Sequence, residues 1–156
     1  MSFLGTPPAP SIAEEQPLAN DGWFPDIDLH DLRECCRLDG TVTPRRLRLA
    51  ALDAMASVNA ELRDYQAAQR LAGRPSLAAV PSPQLAGESV QLQHYRRAVY
   101  ASVQAELVER YRDFDTTGAG DKAAAKLELR IDELRRDRRW AISAICGRPQ
   151  STVDLI

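Results

Sequence analysis

The sequence offers little of what a catalyst is usually built from. It has two histidines, His30 and His94, and three cysteines, two of them adjacent at Cys35 and Cys36. Neither a CxxC pair nor the Cys/His spacing of a zinc site occurs, and an odd count cannot pair completely, so the cysteines read as reduced structural thiols. No nucleophile-with-base, metal-cluster or phosphate-cradle spacing is visible, which leaves no catalytic residue, cofactor or metal to expect. Each histidine reads as a surface or interface residue. Asp26, Asp28 and Asp31 hint at a metal, but carboxylates around a helix start are what capping and the helix dipole already favour. There is no run of 18 apolar residues, and the start "MSFLGTPPAP" has neither a basic nor an apolar stretch. Neither a membrane span nor a signal peptide is expected, so the chain should stay in the cytosol where it is made. A formal charge of −2 argues against coating nucleic acid as a whole and leaves room for a local basic face.

What is present is a helical pattern. With 156 residues, 44% apolar and 27% charged, the chain suits one domain with a real core. Residues 1–22 hold four of the ten prolines and read as a mobile or extended tail. Asp28 caps a short helix running through Leu38, which Asp39-Gly40 ends. Thr43-Pro44 then places a capping hydroxyl before a proline at the first helical position. Leu47, Ala51, Ala54, Val58, Leu62 and Tyr65 follow at spacings of three and four, predicting one long helix to about Gly73. The stretch 74–86, "RPSLAAVPSPQLA", carries three prolines and is a surface connection. Further long helices are predicted over 88–112, with Leu92, Tyr95, Val99, Val103, Leu107 and Tyr111 on one arc, and over 122–146, with Leu127, Ile131, Leu134, Ala141 and Ile145 on its seam. No segment alternates with period two for long enough to be a strand. The class is all-α: a bundle of three long helices preceded by one short helix, with long connecting loops and extended terminal tails at 1–22 and 148–156 around a helical domain at 23–147.

Between the last two helices stands "DFDTTGAGD", residues 113–121, which begins like the calcium loop of an EF-hand. Position twelve, where a bidentate Glu belongs, is Ala124, and glycine occupies position eight. The pattern therefore favours a Gly-rich connection in which Asp121 caps the following helix over a calcium-responsive site.

Some charges fall in odd places. Arg138 lies in the middle of the apolar stripe of the last helix and needs an acceptor. Glu106 and Arg110 share the arc of Val99, Val103 and Leu107, four residues apart. Glu106, Arg110 and Arg138 are read as one charge network, either at the edge of the core or completed by other subunits. The last helix, 122–146, has seven basic residues against four acidic, net +3. Its exposed side is a candidate for meeting DNA phosphates or a solvated face laced by pairs such as Asp132 with Arg136. Trp23 and Phe24 must bury their rings against the protein's own core or against a neighbour.

Several stretches together carry a family resemblance: Trp23–Asp28 "WFPDID", Leu38–Leu47 "LDGTVTPRRL", Val58–Leu62 "VNAEL", Tyr95–Tyr100 "YRRAVY", Glu109–Asp115 "ERYRDFD" and Ile131–Ile142 "IDELRRDRRWAI". Over about residues 23–147 the chain resembles the head completion, or head stabilisation, proteins of contractile-tailed temperate phages of the peduovirus type. That resemblance implies a non-enzymatic virion protein, in the host cytoplasm before assembly. It would add to the portal protein after DNA packaging, retain the genome and ready the neck for a further neck or tail-terminator protein. In element order the chain also looks similar to the helical adaptors of other tailed phages, implying a ring of twelve copies beneath the portal with packaged DNA passing through. On that reading Arg135, Arg136 and Arg139 approach the DNA channel, while Trp23, Phe24, Val153, Leu155 and Ile156 are candidates for contact with the portal or a neighbour. The rival reading is a small helical nucleic-acid-binding regulator that uses the basic last helix.

Overall fold

The computed structural model describes residues 15–112 and 120–149, without the side chains of 111, 112 and 120–123. The order of elements among these residues is α1 (Leu29–Cys35), α2 (Pro44–Glu61), α3 (Arg63–Leu71), β1 (Gln84–Leu85), β2 (Glu88–Ser89), α4 (Val90–Arg112) and α5 (Gly120–Ile145), with a 3-10 turn at Leu77–Ala79. The protein is mostly helical, and the only sheet among the described residues is the antiparallel β1/β2 pair.

The helix starts follow the capping chemistry of the sequence. Asp28 accepts hydrogen bonds from the backbone N–H groups of His30 and Asp31 at 2.8 and 3.2 Å, satisfying donors the helix cannot reach. Thr43 Oγ1 accepts from Arg46 N at 3.3 Å, with Pro44 in the first turn of α2. The stops differ from expectation. Helix α1 ends at Cys35 because Arg37 turns to φ +53, and Leu38 N closes back onto Arg33 O at 3.0 Å. Asp39 instead orders the next turn, accepting from the N–H and hydroxyl of Thr41; those bonds hold its carboxyl below the usual range.

The single long helix expected over 44–73 is two helices. At Leu62 the backbone relaxes to φ −91, ψ 5, although Leu62 N still reaches Val58 O and Gln66 N reaches Leu62 O. The hydrophobic period runs through the break because Leu62 is fully buried while its dihedrals are not helical. Beyond it, α3 has no fully buried residue.

Helix α4 occupies the middle, packing against α5 along one side and α2 along the other. Burial accordingly spreads around it: Tyr95, Ala98, Val99, Ala101, Val103, Ala105 and Leu107 are all inside. The alanines let neighbouring helices approach closely. The main cluster unites Leu29 and Leu32 of α1, Leu47, Ala51 and Val58 of α2, Tyr95, Val99 and Val103 of α4, and Ala141 and Ile145 of α5.

Two stretches assigned to tails or loops belong to that core. Residues 15–22, placed by composition in a mobile or extended tail, are extended and held: Leu18 is 3% exposed and bridges Ile27 through N···O contacts of 2.7 and 3.0 Å. Composition missed this because the pairing partner lies nine residues on. Residues 1–14 lie outside the described part of the chain. The proline-rich connection buries Leu77 and Val80, and Leu77 N donates to Trp23 O at 2.9 Å. Its end forms the β1/β2 hairpin, turned by Ala86 and Gly87, both at positive φ. Two-residue turns of this hand suit a hairpin, but strands of two residues are too short for a period-two signal. The calcium-like stretch 113–119 and the tail 150–156 also lie outside the described residues.

Trp23 and Phe24 are 2% and 3% exposed, buried in the chain's own core and not against a neighbour. The Phe24 ring stacks on Tyr95 with centroids 4.9 Å apart, and the Trp23 ring meets Phe24 edge-on at 4.8 Å. Tyr95 closes a polar knot at the same place. Its hydroxyl donates to Asn59 Oδ1 at 2.6 Å and accepts from Asn20 Nδ2 at 2.8 Å, while Asn59 Nδ2 donates to Asn20 Oδ1 at 2.8 Å. Burial pushes the Tyr95 hydroxyl far up, so it keeps its proton.

Candidate functional site

The charges that looked misplaced in the sequence meet in a groove of about 570 Å³ between α2, α4 and α5. Arg138 projects from the apolar stripe of α5 into it. One of its guanidinium nitrogens pairs with Glu61 of α2 at 2.7 Å, another donates to Ser57 Oγ at 3.0 Å, and Nε donates to Ser102 Oγ of α4 at 3.0 Å. A half-buried arginine on an apolar stripe is thus held by two other helices, each of its three nitrogens meeting one oxygen in the directions one planar group allows. Arg138 does not join the expected network. Glu106 and Arg110 pair with each other at 2.7 Å, while Arg138 takes Glu61. Burial raises the Glu106 carboxyl; Arg110 pulls it back, and Asp53 and Glu109 push it further up. Four acids, Asp53, Glu61, Glu106 and Glu109, therefore face three arginines, Arg135, Arg138 and Arg139, along this groove.

The three arginines read as approaching a channel are all exposed but do not share one environment. Arg135 pairs with Glu109 of α4. Arg136 lies 3.5 Å from Asp137 and caps the Trp140 ring at 4.6 Å. Arg139 lines the groove without an ion pair among the described residues. Val153, Leu155 and Ile156 lie outside the described residues.

A second groove, of about 390 Å³, lies on the other side of α4 between α1 and α5. Tyr100 donates to Asp31 Oδ2 at 2.5 Å, and Arg97 of α4 faces Asp137 of α5 at 3.6 Å. Burial and then the Asp31 carboxylate drive the Tyr100 hydroxyl far up, so it remains a donor. Cys36, behind this groove, has its thiol pushed up to about 12, first by burial and then by Cys35 and Asp31. It is an inert structural thiol. All three cysteines are free. His30 sits on the surface 3.4 Å from Glu34. Burial, and then Arg97, lower His94. Among the described residues no group of three or more His, Cys, Asp and Glu side chains is arranged to hold a metal, and no helix is long and apolar enough to cross a membrane.

Sequence reasoning missed Ser57, Glu61 and Ser102 as the partners of Arg138. The demand for an acceptor was legible in the stripe of α5, but the identity of the acceptor depends on how three helices pack. Trp140 also escaped notice, although "RRDRRW" places an arginine four residues before it, the spacing at which helix neighbours touch.

The described residues thus form a helical body with charge pairs across packed helices and two open grooves beside α4. The sequence model of the phage head completion protein (GPL) family matches residues 18–156, and the chain belongs to that family. It is 44% identical over 157 residues to the head completion/stabilization protein of Escherichia phage P2, an alignment that covers 100% of this chain and 93% of its relative. No solved structure matches. The protein acts in phage head completion as a structural component, and its place is the virion.

Proposed function

We propose that the protein joins the portal vertex after DNA packaging as a ring of copies, twelve in the adaptor analogy, and does so without catalysing a reaction. It closes the DNA-filled head and presents a surface to a further neck or tail-terminator protein. Before assembly it waits in the host cytoplasm. The observation that carries this reading is kinship over its whole length with the P2 head completion/stabilization protein. The fold supports it physically. Helix α4 packs between α2 and α5, and a closed ring needs two different adhesive faces on each subunit. Val153, Leu155 and Ile156 supply apolar side chains for the portal contact.

Mixing the purified chain with portal rings and weighing the product by native mass spectrometry tests the proposal. A discrete complex with a fixed whole number of copies per ring is expected. Portal rings that keep their own mass at micromolar chain would overturn it, and salt-sensitive binding to duplex DNA in place of portal binding would favour the regulator reading.

Within the same proposal, Arg135, Arg136 and Arg139 border the path of the packaged DNA. A moderately basic lining holds DNA without preventing its exit. Changing all three to Gln should alter genome retention or ejection while the isolated chain keeps its helix content. Particles that retain and eject DNA as before would remove these arginines from the channel.

A further inference from the structure

The face of α2 turned away from the core carries a pattern the fold does not use. Leu47, Ala50, Ala51, Ala54, Met55 and Val58 point inward. At 100° per residue, Arg45, Leu49, Leu52, Ala56 and Ala60 fall diametrically opposite them, with Arg48 beside the stripe and Arg63 just past its end. Leu49 and Leu52 stand 51% and 37% exposed. Arg45, Arg48 and Arg63 are exposed and make no ion pair among the described residues, and the one carboxylate at the edge of this stripe, Asp53, lines the groove shared with α4 and α5. The result is an apolar strip roughly 16 Å long from Leu49 to Ala60, with arginines at both ends. Apolar centre and arginine rim are the composition of a protein interface. Phosphate binding has no use for the leucines at its middle.

The complementary surface is present on the same chain. Residues 21–39 hold six carboxylates against two arginines. One of those arginines, Arg33, is turned inward onto Glu15. Asp26, Asp28, Asp31 and Glu34 remain exposed around α1. This acidic edge faces a different way from the α2 strip: Asp31 reaches across to Tyr100 of α4, while the strip points away from α4. Two faces of opposite charge that look in different directions cannot satisfy each other within one molecule. Between molecules they repeat head to tail, which is the contact a ring requires.

We infer that the outward strip of α2, with Leu49 and Leu52 in its apolar part and Arg45 and Arg48 on its rim, is a subunit interface that seats on the acidic edge around α1 of a second copy of this chain. The inference rests on the ring reading above and assigns the surface that makes the ring.

Two full-length charge-reversed variants test it: Arg45→Glu with Arg48→Glu, and Asp26→Arg with Glu34→Arg. Each is checked for wild-type helix content, then assayed for assembly on purified portal rings by native mass. Wild type should fill the ring, and each variant alone should lose at least tenfold in assembly. An equimolar mixture of the two should recover complexes in which reversed faces meet each other. Variants that fill portal rings as well as wild type, while wild type does form a ring, would overturn this interface and leave the ring reading standing. A mixture no better than either variant alone would also overturn it. Wild type that binds portal rings only as isolated copies, or not at all, would remove the ring itself and this interface with it. If the α2 variant assembles normally but loses affinity for duplex DNA, the strip belongs to nucleic acid and the assignment fails.

Discussion

Trp23→Ala is expected to lower the free energy of unfolding by about 3–5 kcal/mol, the range for deleting a large buried aromatic side chain. The indole is 2% exposed, so nearly all of its apolar surface is out of water. It does more than fill space. Its Nε1 donates to Arg74 O at 3.0 Å, its own carbonyl accepts from Leu77 N at 2.9 Å, and its ring lies edge-on to both Phe24 and Tyr65. Through it the N-terminal segment, the end of α3 and the connection to β1 are tied together. Truncation opens a cavity and leaves the Arg74 carbonyl without its donor, a further penalty for a polar group turned from water. Trp23→Phe, which keeps most of the ring but loses the donor, should cost clearly less. Urea unfolding followed by circular dichroism checks both, and a loss below about 1 kcal/mol for Trp23→Ala would contradict this account.

Arg33→Met is expected to destabilise by a similar amount, about 3–5 kcal/mol, for an electrostatic reason. Glu15 is 4% exposed at its side chain and Arg33 11% exposed, and they meet at 2.5 Å. Two more guanidinium donors hold Asp39 O at 2.9 Å and Val42 O at 2.8 Å, so one side chain fastens the N-terminal segment, α1 and the turn before α2. Methionine keeps the length and leaves a buried carboxylate with no counter-charge. The pair need not itself be worth that much, because a carboxylate and a guanidinium both lose hydration when buried. The double change Glu15→Leu with Arg33→Met should therefore be more stable than Arg33→Met alone. A double variant as unstable as the single one would mean that the carbonyl contacts, and not the orphaned charge, dominate.

These two positions mark where reading the sequence succeeded and where it stopped. That Trp23 had to be buried followed from its size and apolar character; that its container is the chain's own core, not a neighbour, needed the positions of Tyr65, Arg74 and Leu77, up to fifty-four residues away. Glu15 and Leu18 were assigned to a tail because proline and alanine around them suggested no local order, yet each is ordered by one distant or opposite partner. Arg138 shows the same division. Its place on an apolar stripe announced a need for an acceptor, and Glu106, an acid already placed on a predicted neighbour helix, was chosen; in the structure Arg110 holds Glu106 and Glu61 takes Arg138. The α2 strip is the converse case. Its inward face set the helix period, and its outward Leu49 and Leu52 broke the polar pattern in plain view, but which leucines stay uncovered depends on where α4 lies.

By itself the sequence determined the helical class, the caps at Asp28 and Thr43, the proline-bounded connection and, through six ordered blocks, the family. These are local or cumulative signals, written in spacing, side-chain chemistry and word order along the chain. Only the tertiary structure decided that α4 is the central helix, that Trp23 seals the N-terminal segment, that Arg138 answers to Glu61, and which face of α2 is left for a partner. Those facts depend on free-energy differences between pairings of residues far apart in the chain, and a charge or a ring does not carry the address of its partner.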